Sequence, residues 1–311
     1  LPQVAVLHSE QHLWKTIRTK GLREVPETAI VRGAVHALLE CHYGVDILDE
    51  WALQQRLREF PAVVVPECYA LSQEMVEALK DYVREGGRLL VTGSKTFDRY
   101  GAAFLGAASQ QVNEKAVFFV PSATGSVALY SGEWRLLTPT RAKPLCRLGK
   151  TPLLDDELLP NPAAIINQVE RGTVAYIPAD VFRDFQNNRY TMTKDFIGSV
   201  AHSAFGTLDY RVEAPTAIDV AIRQKGRHIV VHFLNRASGI PNRANCGAVD
   251  EIPRVGPIIL TVRRKTAPKS IKTAFENSDM SVAFKAGKLT VKLSSVHIHA
   301  AVVISDEPTL R

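Results

Sequence analysis

The sequence predicts an α/β doubly wound domain over residues 1–207, followed by an all-β sandwich over residues 208–311. Three observations predict it. Short valine- and leucine-rich runs alternate with amphipathic stretches through the first hundred residues, the βαβ pattern of a parallel sheet with right-handed crossovers. From about Glu114 the apolar period shortens, with Gly and Pro between the runs. After Gly206 no long helical period remains, only alternating strands.

The elements follow in order. Val4–His8 reads as a strand. Thr28–His42 places Ile30, Val31, Ala34, Leu38 and Cys41 at helical spacing, and Gly44 ends it. Val45–Leu48 is a strand, and Trp51–Phe60 a helix with Leu53 and Leu57 on one face. Ala62–Val65 is an unbroken apolar run, as in strands buried on both sides. Ser72 caps a helix from Gln73 to Arg84 whose Met75, Val76, Leu79 and Val83 face inward; Gly86-Gly87 ends it before the strand Arg88–Val91. Short strands are then expected at Ala116–Val120, Ser126–Tyr130, Trp134–Leu137 and Leu145–Leu148. A hairpin joins Ala164–Val169 to Thr173–Ile177, a polar loop follows Asp180, and Lys194–Ala204 closes the domain as a helix. The sandwich takes Ala217–Arg223, His228–Leu234, Ile258–Arg263, Ser281–Ala283, Leu289–Leu293 and Ile298–Ile304, with the boundary between Gly206 and Pro215.

Composition narrows the function. At 46% hydrophobic and 23% charged, the 311 residues describe a soluble protein, cytoplasmic or exported. No apolar run approaches the ~20 residues of a membrane span, so no membrane partner is expected. The net charge of +6 is spread among acids, and its densest cluster is only Arg263-Arg264-Lys265. Nucleic-acid binding wants a basic stripe, so no nucleic-acid partner is expected either. Cys41, Cys68, Cys146 and Cys246 lack the spacing of a zinc knot or disulfide framework. His8-Ser9-Glu10-Gln11 after the first strand is not a glycine-rich phosphate loop, and no cofactor is expected. The chain starts without Met and enters a strand at once, which reads as a piece of a longer protein.

Three stretches carry a family resemblance. "ETAIVRGAVHALLECHYGVDILDE", "FPAVVVPECYALSQEMVEALKDYVREGGRLLVTG" and "RGTVAYIPADVFRDF" resemble the glutamine-amidotransferase-like β-galactosidase trimerisation domain of family-42 glycoside hydrolases and their relatives. "HIVVHFLNRAS" and "EIPRVGPIILTVR" resemble the sandwich that follows it in such proteins. The resemblance implies a flavodoxin-like or class I amidotransferase-like first domain. It also implies a catalytic barrel N-terminal to this chain as the missing partner, and a homo-oligomer, a trimer by analogy. In this reading the chain is a non-catalytic accessory region, acting in assembly and in framing the active site. The alternatives are an amidotransferase-like or other hydrolase using Cys68 or Ser94, and a carbohydrate-binding module.

The candidate residues are weighed against those readings. Active amidotransferases of this fold place Cys at the elbow after the strand that corresponds to Arg88–Val91; here that elbow reads Thr92-Gly93-Ser94-Lys95, with no Cys. Cys68 lies one strand earlier, beside Glu67, which opposes thiolate formation. Ser94 lacks the flanking glycines of a G-x-S-x-G elbow. For carbohydrate contact the strand-end loops supply Trp14, Glu67 and Tyr69, and the resemblance adds Asp180 and Arg183 of "IPADVFRDF". Packing against the first helix is the ordinary alternative for Trp14. His297 and His299 share a strand face, as do His228 and His232, but a zinc site needs three or four ligands. Asp155-Asp156-Glu157 sit in a Pro-flanked loop and read as a solvated turn rather than as paired glycosidase carboxylates. Phe97, Tyr100, Phe104 and Leu105 form an apolar segment that must pack on its own sheet or on a partner.

Overall fold

The structure is a computed structural model that describes residues 1–16, 28–121, 127–152, 158–237 and 251–307, with the backbone alone at 110–114. Asp155, Asp156, Glu157 and Cys246 lie outside the described residues. Two compact units are present. One is Gln3–Ala37 with Val45–Gly206; the other is Thr207–Arg311 with Leu1–Pro2 and Leu38–Gly44.

The first unit begins β1 (Val4–Leu7), α1 (Glu10–Thr16), α2 (Ala29–Glu40, which runs on into the second unit), β2 (Val45–Leu48), α3 (Glu50–Arg56) and β3 (Ala62–Val65). It continues with α4 (Gln73–Arg84), β4 (Arg88–Thr92), the short α5 (Phe97–Tyr100) and α6 (Ala102–Leu105), β5 (Ala107–Pro121), β6 (Val127–Pro139) and β7 (Lys143–Gly149). It closes with β8 (Leu158–Val169), β9 (Gly172–Ile177), α7 (Val181–Asn188) and α8 (Thr191–Phe205).

All nine strands lie in one sheet, in the order β2-β1-β3-β4-β9-β8-β7-β5-β6. The run from β2 to β9 is parallel, with Val4 opposite both Val45 and Ala62, and Leu90 opposite Ala175. From β9 onward the ladder is antiparallel: β9 with β8, β8 with β7, β7 with β5, and β5 with β6.

This corrects the expected fold class. A doubly wound α/β domain is a mostly parallel sheet with helices on both faces. Here four of the nine strands extend the sheet as an antiparallel ladder in the order β8-β7-β5-β6, and with the second unit the chain is mostly β. Of the short strands expected after Glu114, Ala116–Val120 is the end of the longer β5 and Leu145–Leu148 lies within β7. Ser126–Tyr130 and Trp134–Leu137 fall on the single strand β6, with Ser126 outside the described residues. Ser131-Gly132-Glu133 reads as a break, yet Gly132 pairs with Ala116 and the strand runs through it. Glycine suits that position because a Cβ there would lie 2.8 Å from the Tyr130 hydroxyl.

Alternation along the parallel strands places Ala5, Leu7, Val63, Val65, Leu89 and Val91 in one core with Leu53 of α3 and Met75, Val76, Leu79 and Val83 of α4. Val4, Val6, Val64 and Leu90 are buried on the opposite face, where α8 packs across β4 and β9. Ser72 caps α4, its hydroxyl accepting from the Met75 N–H at 3.2 Å. Phe97, Tyr100, Phe104 and Leu105 are buried in the first core, so that segment packs on its own sheet.

The second unit holds two four-stranded antiparallel sheets. One runs β10 (Tyr210–Glu213), β13 (Ile258–Arg263), β16 (Lys288–Leu293), β15 (Met280–Lys285). The other runs β11 (Ile218–Lys225), β12 (His228–Asn235), β17 (His299–Ser305), β14 (Ser270–Ala274). Their alternate residues, among them Val220, Val231, Phe233, Leu260, Val291 and Val302, share one apolar core.

Candidate functional site

The C-terminal ends of the parallel strands gather the polar side chains. From β1 the chain moves outward to β2 and then returns across the sheet to β3. The loops after β1 and β3 therefore run to opposite sides, the switch point at which a crevice forms at the carboxyl ends of such strands. Ser9 opens α1, its hydroxyl accepting from the His12 N–H at 2.9 Å and donating to Glu50. The same Glu50 carboxylate accepts from the Glu10 and Gln11 amides, tying α1 to the start of α3.

Glu67 is the centre of the arrangement. The chain turns sharply after β3, and Glu67 takes φ +54°, its N–H held by the carbonyl and hydroxyl of Thr92 at 3.1 and 3.2 Å. Its Oε1 accepts from the backbone N–H groups of Phe182 and Arg183, at 2.7 and 3.2 Å, and so closes the N-terminal turn of α7. Its Oε2 is buried with no hydrogen-bond partner among the described residues, and the Arg183 Nε stands 3.9 Å from it. Gly93 permits this approach: it has φ +114°, and a Cβ there would lie 3.0 Å from the Glu67 Cα.

Asp180 and Ser94 complete the far wall. The Asp180 carboxylate accepts from the Ser94 N–H at 3.2 Å, and the Ser94 hydroxyl donates to Glu133 at 3.4 Å. The Asp180 N–H donates to the Tyr130 hydroxyl at 3.2 Å. On the near side the Tyr69 ring meets the His12 ring edge-on at 4.8 Å, and Lys95 lies over the outer part of Tyr69.

Burial sets the charge states. Glu67 is held well above the usual carboxylate range, first by burial and then by Asp180, against the pull of Arg183 and the two amides. Asp180 moves the same way, by burial. His12 is drawn down to about 4, by burial and then by Arg183, with Glu50 opposing. At neutral pH the imidazole is therefore uncharged. Its Nδ1, like the Glu67 Oε2, is buried without a hydrogen-bond partner among the described residues.

The sequence candidates divide accordingly. Glu67, Tyr69, Asp180 and Arg183 converge. Cys68 is buried, its thiol donates to the Pro66 carbonyl at 3.0 Å, and burial pushes it up, with Glu67 and Glu50 adding to the effect. Such a thiol is a poor nucleophile. Ser94 is buried with its hydroxyl directed at a carboxylate rather than at an imidazole. Trp14 stands 72% exposed on α1, not packed under a helix.

His297 and His299 do not act together. His297 is exposed and its N–H donates to Glu276, while the His299 Nε2 meets the His232 Nδ1 at 3.0 Å. Among the described residues no group of three or more His, Cys, Asp or Glu side chains is placed to hold a metal ion. Sequence reading missed His12, Tyr130, Glu133 and all of α7, which it took for a polar loop. The signal for α7 was there: Val181, Phe182 and Phe185 form an apolar face at helical spacing.

Comparison with known proteins gives consistent results. Residues 2–117 match the family described as β-galactosidase trimerisation domain. The chain is 26% identical over 245 residues to the β-galactosidase BglY of Alicyclobacillus acidocaldarius, covering 70% of this chain and 33% of that protein. It thus spans about a third of that curated relative.

Among solved structures, α-L-fucosidase isoenzyme 2 from Paenibacillus thiaminolyticus superposes with a TM-score of 0.72 at 15% identity, over 98% of this chain and 48% of that one. The GH42 β-galactosidase Gan42B of G. stearothermophilus gives 0.58 at 16% identity, over 99% and 40%. A β-galactosidase from Bacillus circulans sp. alkalophilus gives 0.58 at 12% identity, over 98% and 41%. This likeness takes in the antiparallel strands and the second unit as well as the parallel strands. It supports the mixed-sheet fold in place of the doubly wound one.

Proposed function

We propose, from the premise that residues 2–117 are a β-galactosidase trimerisation domain, that the whole chain is the accessory region of a larger glycoside hydrolase, assembling the oligomer and framing the active site of a separate catalytic barrel. The family match is the observation that carries this reading. The surface of the matched segment supports it. β2 is an edge strand with Ile47 exposed, and the helix that follows it presents Trp51 at 72% exposure. Exposed tryptophan beside an open strand edge is the kind of surface that a protein covers with a partner. No helix is long and apolar enough to cross a membrane among the described residues.

The site chemistry supports a non-catalytic role for this chain. Glycoside hydrolysis needs an acid and an opposed carboxylate across a substrate cleft. Here Glu67 closes α7 through one carboxyl oxygen and Asp180 holds the Ser94 amide, so the two carboxyls hold backbone in place rather than facing each other across a substrate cleft. Thiol chemistry needs a thiolate, which the surroundings of Cys68 suppress.

The chain by itself is expected to release no nitrophenol from a panel of nitrophenyl glycosides and to hydrolyse no glutamine, with the Cys68→Ser and Ser94→Ala variants indistinguishable from the parent sequence. Turnover that either substitution abolishes would replace the accessory reading with an enzymatic one.

A further inference from the structure

Two side chains at the strand ends each keep one polar atom that no described residue engages in a hydrogen bond. His12 and Glu67 are each more than nine-tenths buried, and each leaves one polar atom, Nδ1 and Oε2, without a hydrogen-bond partner among the described residues. Orphaned buried polar atoms are costly, about 1–3 kcal/mol each, and native structures rarely keep them without a water or ligand to answer them. They are also neighbours. Tyr69, two residues after Glu67 on the loop that follows β3, has its ring 4.8 Å from that of His12 on α1, directly after β1. The Ser9 backbone at the start of α1 meets Cys68, and Arg183 acts electrostatically on both orphaned groups. Tyr69 stands at the mouth, 40% exposed, with its ring against His12.

We infer that the switch point at the ends of β1 and β3 binds a neutral polyhydroxylated small molecule, a monosaccharide unit or polyol, through the His12 Nδ1 and the Glu67 Oε2, with Tyr69 as its apolar wall. The chemistry of the two groups selects the ligand. Burial favours the protonated form of the Glu67 carboxyl, which can donate from Oε2 and in either form has acceptor capacity there. A neutral imidazole offers either a donor or an acceptor at Nδ1, according to tautomer. A hydroxyl both donates and accepts, so adjacent hydroxyls satisfy the pair in either tautomer.

Charged ligands fit less well. The acids Asp180 and Glu133 and the cations Arg183 and Lys95 mix both signs around the site, so neither an anion nor a cation meets a complementary field. An aromatic ring beside convergent hydroxyl-binding groups also suits the apolar face of a pyranose. This inference does not depend on the assembly role, since it rests on the strand ends and not on the exposed tryptophans.

The test is calorimetric titration of the 311-residue chain with galactose and with myo-inositol, beside gluconate and glucosamine as anionic and cationic controls. Saturable binding of a neutral ligand is expected, with gluconate and glucosamine at least about tenfold weaker. Tyr69→Ala, on an exposed ring, and His12→Phe should each weaken binding by about tenfold. Glu67→Gln, which keeps one acceptor for α7 and one donor for the ligand, should retain it.

Absence of saturable binding for both neutral ligands would overturn the inference. So would binding unchanged by Tyr69→Ala and His12→Phe in variants whose circular dichroism matches the parent. Equal affinity for the charged controls would overturn the selection of a neutral ligand. Sedimentation of the same samples keeps the outcomes separate: loss of sugar binding with assembly intact rejects this inference alone.

Discussion

Gly33→Ala is expected to destabilise the chain by about 3 kcal/mol or more, against the usual effect of that change in a helix. In an exposed helix interior, alanine gains up to about 1 kcal/mol over glycine. Gly33 is different because α2 crosses α7 there at backbone contact: a Cβ would lie 1.9 Å from the Phe182 carbonyl oxygen and 3.2 Å from the Gln186 Cβ. Backbone cannot rotate out of the way as a flexible side chain would. α7 must move, and its first amides then leave the Glu67 carboxyl. At about 2–4 °C per kcal/mol for a unit of this size, Tm should fall by roughly 6–12 °C. A variant within 1 kcal/mol of the parent in urea unfolding, an uncertainty typical of such comparisons, would show that the two helices do not meet this closely.

Glu67 is expected to give two opposite results. Glu67→Ala strands the Phe182 and Arg183 amides at the start of α7 and should cost about 2–4 kcal/mol, as loss of a cap combined with buried unsatisfied donors does. Glu67→Gln keeps an acceptor in place and removes the titration.

The sign follows from linkage. The carboxyl is held above its unfolded value, so its favourable contribution is complete below the ordinary carboxylate range and is lost as pH rises through the folded value. The unfolded chain is already ionised there. Relative to the parent, the Gln variant should therefore gain stability as pH rises above the ordinary carboxylate range, up to the folded value of Glu67. Unfolding curves for the two proteins that stay parallel across that range would mean that Glu67 ionises freely in the folded chain.

His12 acts in the other direction. Its folded value, near 4, lies below the ordinary 6.5, so the stability it contributes is lost as pH falls through that interval.

Much of the first unit was legible in the sequence because its signals are local. The valine run at Ala62–Val65 and the Ser72 cap with its four inward apolar residues locate β3 and α4 to the residue. The class of the fold was not legible, because nothing local distinguishes a closing hairpin from strands that extend the sheet. β5 and β6 pair through Gly132, and only the partner strand reveals that the break is not one.

The candidate site was half legible for the same reason. Glu67 and Tyr69 follow a visible strand, and Asp180 and Arg183 a visible hairpin. That one carboxyl joins them, by capping a helix more than a hundred residues away, depends on tertiary contact alone. His12 carried no signal at all; its meaning comes from being buried beside Tyr69 with one nitrogen unanswered.

The central claim is that this chain is an assembly region, and the direct measurement is sedimentation velocity of the 311-residue chain over about 1–100 µM, since assembly follows mass action. The mass should climb with concentration from 34.3 kDa toward three times that value, and Trp51→Glu, which places a charge on the exposed apolar edge, should shift the rise to at least about tenfold higher concentration. A strict 34.3 kDa monomer throughout, with Trp51→Glu superimposable on it, would contradict the account.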